Sequence, residues 1–465
     1  MSTSNEPAQT FGPQSNGVTA ALARFVLQSC WEDLPEAVRH EGSRAFLNWV
    51  GCAYGGSHHP AVECALRGAS KLSSNKMCTI LGRKERLDAL SASMINGLSA
   101  SANAFDDAHI STVIHPAAPT VSALLAYAEQ HPVSGADFLH ALILSHEVQC
   151  RLSCALAIAP AKSHLGHYLT GLTGPVGVSA AVGRLMGLSK QQLIWAMGIA
   201  AMQAGGVRAS HASMSAAFIP GNAGRNGLLA AHLASENFTC HPEPLMSQYG
   251  LLQVVGNPPN PAAILDGLGA RWECMNVAIK PFPNGCLIHA ATDVCLKVSR
   301  DARFVAENIE RVRIEVHPLA AGLTAARSPK NANEAQVSLY HWAAAALVHG
   351  NAGLQQASDE CVTDPRVIAI RNRVEAQEVI DLAPDEARAV VELKNGQLIK
   401  AEVRPHAGAA SLPLTDEQLE SKFSSQVAPL LGHESSRDLI SRCWGLVDAG
   451  NVGKAAPGHW GQHAS

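Results

Sequence analysis

SGADFLHALILSHEVQCRLSCALAI, residues Ser134–Ile158, is the stretch that decides the fold class. Its apolar residues recur at three- and four-residue spacing along its whole length, which predicts a long and largely buried helix. Ser134 suits the helix start, because its hydroxyl can accept a hydrogen bond from a free backbone N–H of the first turn. A buried helix of this kind needs other helices around it.

Helical patterns continue on both sides of this stretch. Leu34–Gly56 repeats apolar residues at helical spacing and stops at two glycines, and Asp88–Phe105 opens on an N-cap aspartate. Ser189 is a serine cap for another helix. From about Thr19 to Leu268 the sequence therefore predicts helix after helix, which is too much helix for a sheet-centred fold.

The pattern changes near Lys280. Glu310–Pro318 alternates apolar and polar residues with a period of two, which predicts a strand. The dipeptide Asn395-Gly396 lies between two alternating runs, which is the strongest short-range signal for a β-hairpin. Asp364–Glu378 is interpreted as a further helix.

These patterns predict a mostly α protein with a large all-helical domain and a smaller α+β domain. The predicted boundaries, in chain order, are a polar N-terminal tail at 1–17, the helical domain at 18–272, the α+β domain at 273–405, and C-terminal helices at 406–465 that return to the helical domain. A chain of 465 residues is too long for one ordinary core, which agrees with two domains.

Composition and charge exclude several classes of protein. A net charge of -4 without a basic run argues against a nucleic-acid partner. The first 17 residues lack the apolar core of a signal peptide, and the apolar runs are too short to span a bilayer, so we expect a cytoplasmic protein without a membrane partner. The chain has no P-loop, HExxH motif or CxxC pair. Cys150 and Cys154 could share a helix face, but buried thiols are usually inert, so we expect neither metal nor organic cofactor.

Polar clusters between the helices are the candidate sites. They are NAFDDAHISTVIHPAAPT with Asp106, Asp107, His109 and His115; KSHLGHYLTGLTG with His164 and His167; GGVRASHASMSAAFIPGNAGRNG with Arg208, His211 and Arg225; and AIKPFPNGCLIHA with Lys280 and His289. Taken singly, each cluster is explained equally well by helix capping or ordinary hydrogen bonding.

Together, these clusters resemble a known family. The segments FDDAH…HP, GHYLTGLTGPVG, PGNAGRNG, IKPFPNGCLIHAATD and AQVSLYHWAAAALVHG resemble, in this order, the landmarks of the MmgE/PrpD family, over about Phe25 to Leu430. The resemblance implies a helical domain plus an α+β domain, with the active site between them, and usually a homodimer. It also implies cofactor-independent chemistry on a small polycarboxylate.

The resemblance implies three catalytic residues, His115, His167 and Lys280. His115 and His167 resemble the family's two active-site histidines, and Lys280 resembles the lysine of its KPFP-like segment. Six further side chains of the clusters are expected to bind substrate, namely Asp106, Asp107, His109, Arg208, Arg225 and His289.

At three positions the sequence departs from the family's lyases. Ala104 replaces an acid, Ala108 replaces a threonine, and Ala216 replaces a lysine. Dehydration and decarboxylation need more pocket groups than epimerisation, which needs one base, one acid and one cation. The sequence therefore favours an epimerase similar to iminodisuccinate epimerase. The alternatives are a lyase of the 2-methylcitrate dehydratase or cis-aconitate decarboxylase type, and a non-catalytic binding protein.

Overall fold

The computed structural model describes residues 17–455, and its architecture is mostly α. Residues 1–16 of the predicted tail and 456–465 of the predicted C-terminal segment lie outside this part. The α-helices, numbered α1 to α20, are Val18–Gln28, Glu36–Gly56, Pro60–Ser70, Ala89–Ala102, Ala117–Ala128, Gly135–Ala157, Leu169–Leu185, Lys190–Met202, Ser215–Ser235, Leu251–Val255, Ala262–Leu265, His289–Ser299, Pro318–Leu323, Ala332–Ala335, Leu339–His349, Asp359–Thr363, Pro365–Arg371, Asp416–Leu431, His433–Trp444 and Val452–Ala455. None of these helices is both long and apolar enough to cross a membrane.

The helix starts follow the predicted caps. The side chains of Asp88, Ser134 and Ser189 accept hydrogen bonds from backbone N–H groups in the first turns of α4, α6 and α8. Helix α6 is buried along almost its whole length, as its apolar pattern predicts. Local sequence thus determines where these helices begin, and packing on several sides stabilises them.

The strands, numbered β1 to β8, are Cys78–Thr79, Arg86–Leu87, Asp107–His109, Val277–Ile279, Ile309–Val316, Val374–Glu378, Ala387–Leu393 and Leu398–Val403. A four-stranded sheet has the order β6-β5-β7-β8, in which only the β5–β6 pair is parallel. The predicted hairpin is confirmed, since β7 and β8 pair antiparallel. Gly396 in its turn has a φ of 81°, a conformation that glycine adopts at little cost.

The prediction of one helix over Asp364–Glu378 is wrong in its second half. Helix α17 ends at Arg371, and Val374–Glu378 is strand β6. Val374 and Ala376 alternate toward the apolar cluster under the sheet, so a period of two prevails over helical spacing in that segment.

The C-terminal helices pack against α2. Phe423 of α18 contacts Gly51, where an added Cβ would lie 2.8 Å from the phenyl ring. Lys422 is buried beside it and donates hydrogen bonds to Asn48 Oδ1 and Phe105 O, each at 2.7 Å. Burial lowers the pKa of Lys422 to about 8. This contact links α18 to the backbone that directly precedes Asp106.

Strands β3 and β4 form a short antiparallel ribbon from segments far apart in sequence. Asp107 pairs with Ile279, and His109 pairs with Val277. The sequence interpretation of this region as a loop between helices is therefore wrong for Asp107–His109. The ribbon continues with a hydrogen bond from Lys280 N to Asp106 O at 3.2 Å, which brings two candidate residues side by side.

Candidate active site

A cavity beside this ribbon, which we call the front cavity, gathers several of the candidate residues. Its empty space is about 900 Å³, part of it open to solvent. The polar side chains in its wall come from segments spread over the chain, and they are His59, Ser101, Asp106, His115, Tyr168, Arg208, His211, Ser213, Lys280, Thr324, Asn333 and Gln336. Apolar side chains form the rest of the wall.

Backbone strain is concentrated at this cavity. Ala104, Val113 and Ala212 line it, and their φ angles of 49°, 56° and 63° lie in the left-handed region. This conformation costs free energy for residues with a Cβ, most of all for a β-branched valine. Strained backbone of this kind persists where surrounding structure enforces it, and it is frequent at functional sites.

Lys280 and Asp106 form a buried ion pair in the cavity wall. The ammonium group of Lys280 contacts Asp106 Oδ1 and donates a hydrogen bond to Ala104 O at 3.2 Å. Burial alone would raise the pKa of Asp106, but the charge of Lys280, followed by that of His115, holds it below its ordinary value. Asp106 is therefore an ionised carboxylate, and it neutralises the charge of the nearest cation, Lys280.

His115 presents one ring nitrogen as a base. Its Nδ1 lies 2.6 Å from Asp107 O, and since a carbonyl only accepts, Nδ1 carries the proton. Its backbone N–H donates to Thr170 Oγ1 at 3.0 Å, which also holds the residue in place. Burial, then the charge of Lys280, lowers the pKa of His115 to about 4. The ring is thus neutral at pH 7, and Nε2 has a free lone pair.

Tyr168, Arg208 and His211 form another part of the wall. The Tyr168 ring lies edge-on between two imidazoles, with centroids 6.0 Å from His115 and 5.3 Å from His211. The guanidinium carbon of Arg208 lies 5.9 Å from the Tyr168 centroid. Burial, followed by the charge of Arg208, lowers the pKa of His211 to about 4. The cavity therefore holds a second neutral imidazole.

The predicted convergence of three catalytic residues is wrong for His167. His115 and Lys280 line the front cavity, but His167 does not. His167 pairs with Val207 in a β-bridge, and Tyr168 follows it in an extended conformation. Successive side chains of extended backbone point to opposite sides, so it is Tyr168 that faces the cavity.

Four predicted substrate-binding residues also lie outside the cavity wall. Arg225 is exposed on α9, two helical turns beyond Ala217, and contacts Asn222. His109 is buried against Thr112 and Glu273. His289 packs between Phe282 and His406. The fourth residue, Asp107, faces away from the front cavity, and its Oδ2 accepts a hydrogen bond from the N–H of Ala117 at the start of α5.

Conversely, Tyr168 and His211 line the cavity but were not among the predicted site residues. Their position in the clusters of His167 and Arg208 was the signal that could have identified them.

A smaller cavity lies behind Asp107, and we call it the rear cavity. Its wall includes Asp107, His146, Cys274 and Ile279. Asp107 Oδ1 and His146 Nε2 are buried and have no hydrogen-bond partner. Burial, and secondly the charge of Asp106, raises the pKa of Asp107 to about 7. In the described part of the chain this carboxyl forms no ion pair, and the charge of Lys280 lowers its pKa by less than burial and Asp106 raise it.

One group of potential metal ligands occurs in the described part of the chain. Donor atoms of His109, Cys154 and Glu273 lie within 4.8 Å of one another. Glu273 is already paired with Arg271 and accepts a hydrogen bond from Asn276 at 2.9 Å. Its pKa is lowered to about 2, first through the hydrogen bond with His109. The side chains of His109 and Glu273 are thus already hydrogen-bonded, and Arg271 already balances the charge of Glu273. This arrangement disfavours a metal ion at the same carboxylate.

The fold and the front cavity define a mostly helical protein with a partly enclosed cavity that is lined by ionisable side chains. Comparison with known proteins identifies the family to which this chain belongs. The N-terminal domain of the MmgE/PrpD family matches residues 20–263, and its C-terminal domain matches residues 282–446. The chain therefore belongs to the MmgE/PrpD family, as its sequence motifs predicted.

Curated relatives are similar over nearly their whole length. The cis-aconitate decarboxylase-like protein oryM of Aspergillus oryzae is 27% identical over 95% of this chain and 96% of its own. The cis-aconitate decarboxylase of Aspergillus terreus is 24% identical over 88% of this chain and 89% of its own. The human cis-aconitate decarboxylase is 26% identical, with 89% of each chain covered. Two of these relatives are named as cis-aconitate decarboxylases and one as a protein like them, and decarboxylases are lyases, whereas the sequence analysis favoured an epimerase.

Proposed function

We propose that this protein is a cofactor-independent lyase that acts on a small organic acid, at a carbon next to a carboxylate. The arrangement of His115 carries this proposal. Its neutral imidazole presents a free Nε2 in a cavity that also holds the cations Lys280 and Arg208. A positioned base opposite a cation suits proton transfer at such a carbon, because the cation stabilises the charge that develops.

The lyase assignment is supported by the relatives, which are named as cis-aconitate decarboxylases. In a dehydration, His115 would take the proton from carbon, the C–H electron pair would form the double bond, and the hydroxyl group would leave as water with a proton from Tyr168. In a decarboxylation, the electron pair of the broken C–C bond would stay on carbon, and a proton would add there. Tyr168 lines the cavity with a neutral phenol that could supply this proton, and burial, which raises its pKa, makes it a weaker acid than an exposed tyrosine.

An epimerase is the second candidate, and a particular observation favours it. His115 and His211 both line the cavity and flank the same Tyr168 ring. Two imidazoles could serve the two faces of one carbon: the neutral one removes the proton, and the other first takes up a proton from solvent and then returns it to the opposite face. The alanines at Ala104 and Ala216, which line the same wall, leave fewer groups for clamping a leaving carboxylate.

The decisive experiment is NMR in deuterium oxide with purified protein and a panel of mono-, di- and tricarboxylates. A lyase gives a product lighter by water or carbon dioxide, whereas an epimerase gives an isomer with deuterium at one carbon. His115→Gln serves as the inactive reference, with its fold checked by circular dichroism. If no acid of the panel exchanges a proton or yields a product, the proposal is wrong and the binding-protein hypothesis takes its place.

A further inference from the structure

The charges that face the front cavity do not balance. Within residues 17–455 the charged side chains in its wall are Asp106, Lys280 and Arg208. Asp106 and Lys280 neutralise each other through their ion pair. His115 and His211 are neutral, since burial lowers both pKa values to about 4. The cavity is left with one positive charge, which belongs to Arg208.

Arg208 has no anionic partner in the described part of the chain. Its Nε is buried and lacks a hydrogen-bond partner, and its guanidinium group forms no ion pair there. A guanidinium group binds a carboxylate through two parallel hydrogen bonds. An unpartnered donor in a cavity wall indicates that a ligand supplies the acceptor.

The remaining wall contains uncharged polar side chains, such as Ser101, Asn333 and Gln336, and an apolar part that gives a second constraint. Ala104, Val113, Ala216, Leu323 and Val337 all line the cavity. A carboxylate buried against such side chains without a cation is strongly disfavoured, because it loses its hydration and gains no partner. Compact alkyl groups, in contrast, bind such a surface favourably.

We infer that the substrate is a small organic acid with one carboxylate, bound by Arg208, and a compact apolar group that packs on the alanine-rich wall. This inference rests on the proposed function in taking the front cavity as the substrate site. It differs from the polycarboxylate that the sequence resemblance implied, because it assigns one cation to one substrate carboxylate.

The test measures binding by isothermal titration calorimetry, without turnover. Three alkenoic acids of related shape serve as probes: 3-methylbut-2-enoate, mesaconate and trans-aconitate, which carry one, two and three carboxylates. We expect affinity to fall in that order. Arg208→Gln should weaken binding of 3-methylbut-2-enoate at least tenfold, whereas Arg225→Gln, which removes an exposed arginine outside the cavity, should leave it unchanged.

A gain-of-affinity variant makes the test independent of damage to the fold. Ala216→Lys adds a cation to the cavity wall and should shift the preference toward mesaconate or trans-aconitate. Ser215→Lys adds the same charge at an exposed position outside the wall and should not shift it. Tightest binding of trans-aconitate by the unmodified protein, or unchanged binding in Arg208→Gln, overturns the inference. Proton exchange at the same time would still uphold the proposed function, so the two can fail separately.

Discussion

The front and rear cavities differ most clearly at two adjacent carboxyl groups. Asp106 and Asp107 are both almost fully buried, with 4% and 1% of their surfaces exposed. Asp106 faces Lys280, and its pKa lies below the ordinary value. Asp107 faces the rear cavity and forms no ion pair within residues 17–455, and its pKa is raised to about 7. The comparison teaches that the nearest charge partner, more than the degree of burial, determines which buried acid is ionised.

The largest expected effect is the loss of activity on replacing His115 of the front cavity, compared with replacing His146 of the rear cavity. His115→Gln should slow the reaction by roughly 10²–10⁴-fold, the usual contribution of a general base. His146→Gln changes a buried histidine of the rear cavity and should alter the rate by less than about threefold, because His146 does not line the front cavity. Rates of deuterium incorporation for the two variants provide the measurement. Equal losses in both would mean that the two cavities act as one site.

The next effect concerns the ion pair. Lys280→Met leaves Asp106 as a buried charge without its partner, which should reduce the free energy of unfolding by about 3–5 kcal/mol. The double variant Lys280→Met/Asp106→Asn removes both charges and should recover most of the stability without recovering activity. Denaturant unfolding of both variants measures this, and an undiminished midpoint for the single variant would show that Asp106 is not ionised.

Local elements of this fold could be predicted from sequence, because their causes are local. The caps at Asp88, Ser134 and Ser189 and the turn at Gly396 each depend on a few neighbouring residues. The β3–β4 ribbon could not be predicted in this way. Its strands have three residues each and lie far apart in the chain, so no periodicity reveals them.

Site residues were predictable in kind but less so in orientation. His115 and Lys280 were identified from their motifs and line one cavity. His167 was chosen instead of Tyr168, because sequence does not tell which of two adjacent extended residues faces a cavity. The sequence also does not show whether an acidic side chain lies beside Arg208, because that depends on how distant segments pack. The homodimer and the domain boundaries stay predictions.

The smallest expected effect tests the rear cavity through pH. The pKa of Asp107 is raised from its ordinary value to about 7 in the folded protein, so the folded state holds this proton more tightly than the unfolded state. The stabilisation from the protonated form is therefore lost as the pH rises from about 4 through 7. Asp107→Asn keeps a neutral group at this position at every pH. The free energy of unfolding of the variant minus that of the unmodified protein should therefore increase by on the order of 2 kcal/mol from pH 5 to pH 8. The other titratable groups near Asp107 include Asp106, Lys280, Lys422, His115, Glu41, His146 and Cys274. They are present in both proteins, so the pH dependence of the difference isolates Asp107.

Asp381→Asn, at an exposed carboxylate, should show no such trend. A difference for Asp107→Asn that stays constant from pH 5 to pH 8 would mean that both acids are ionised, and the contrast between the two cavities would then be lost.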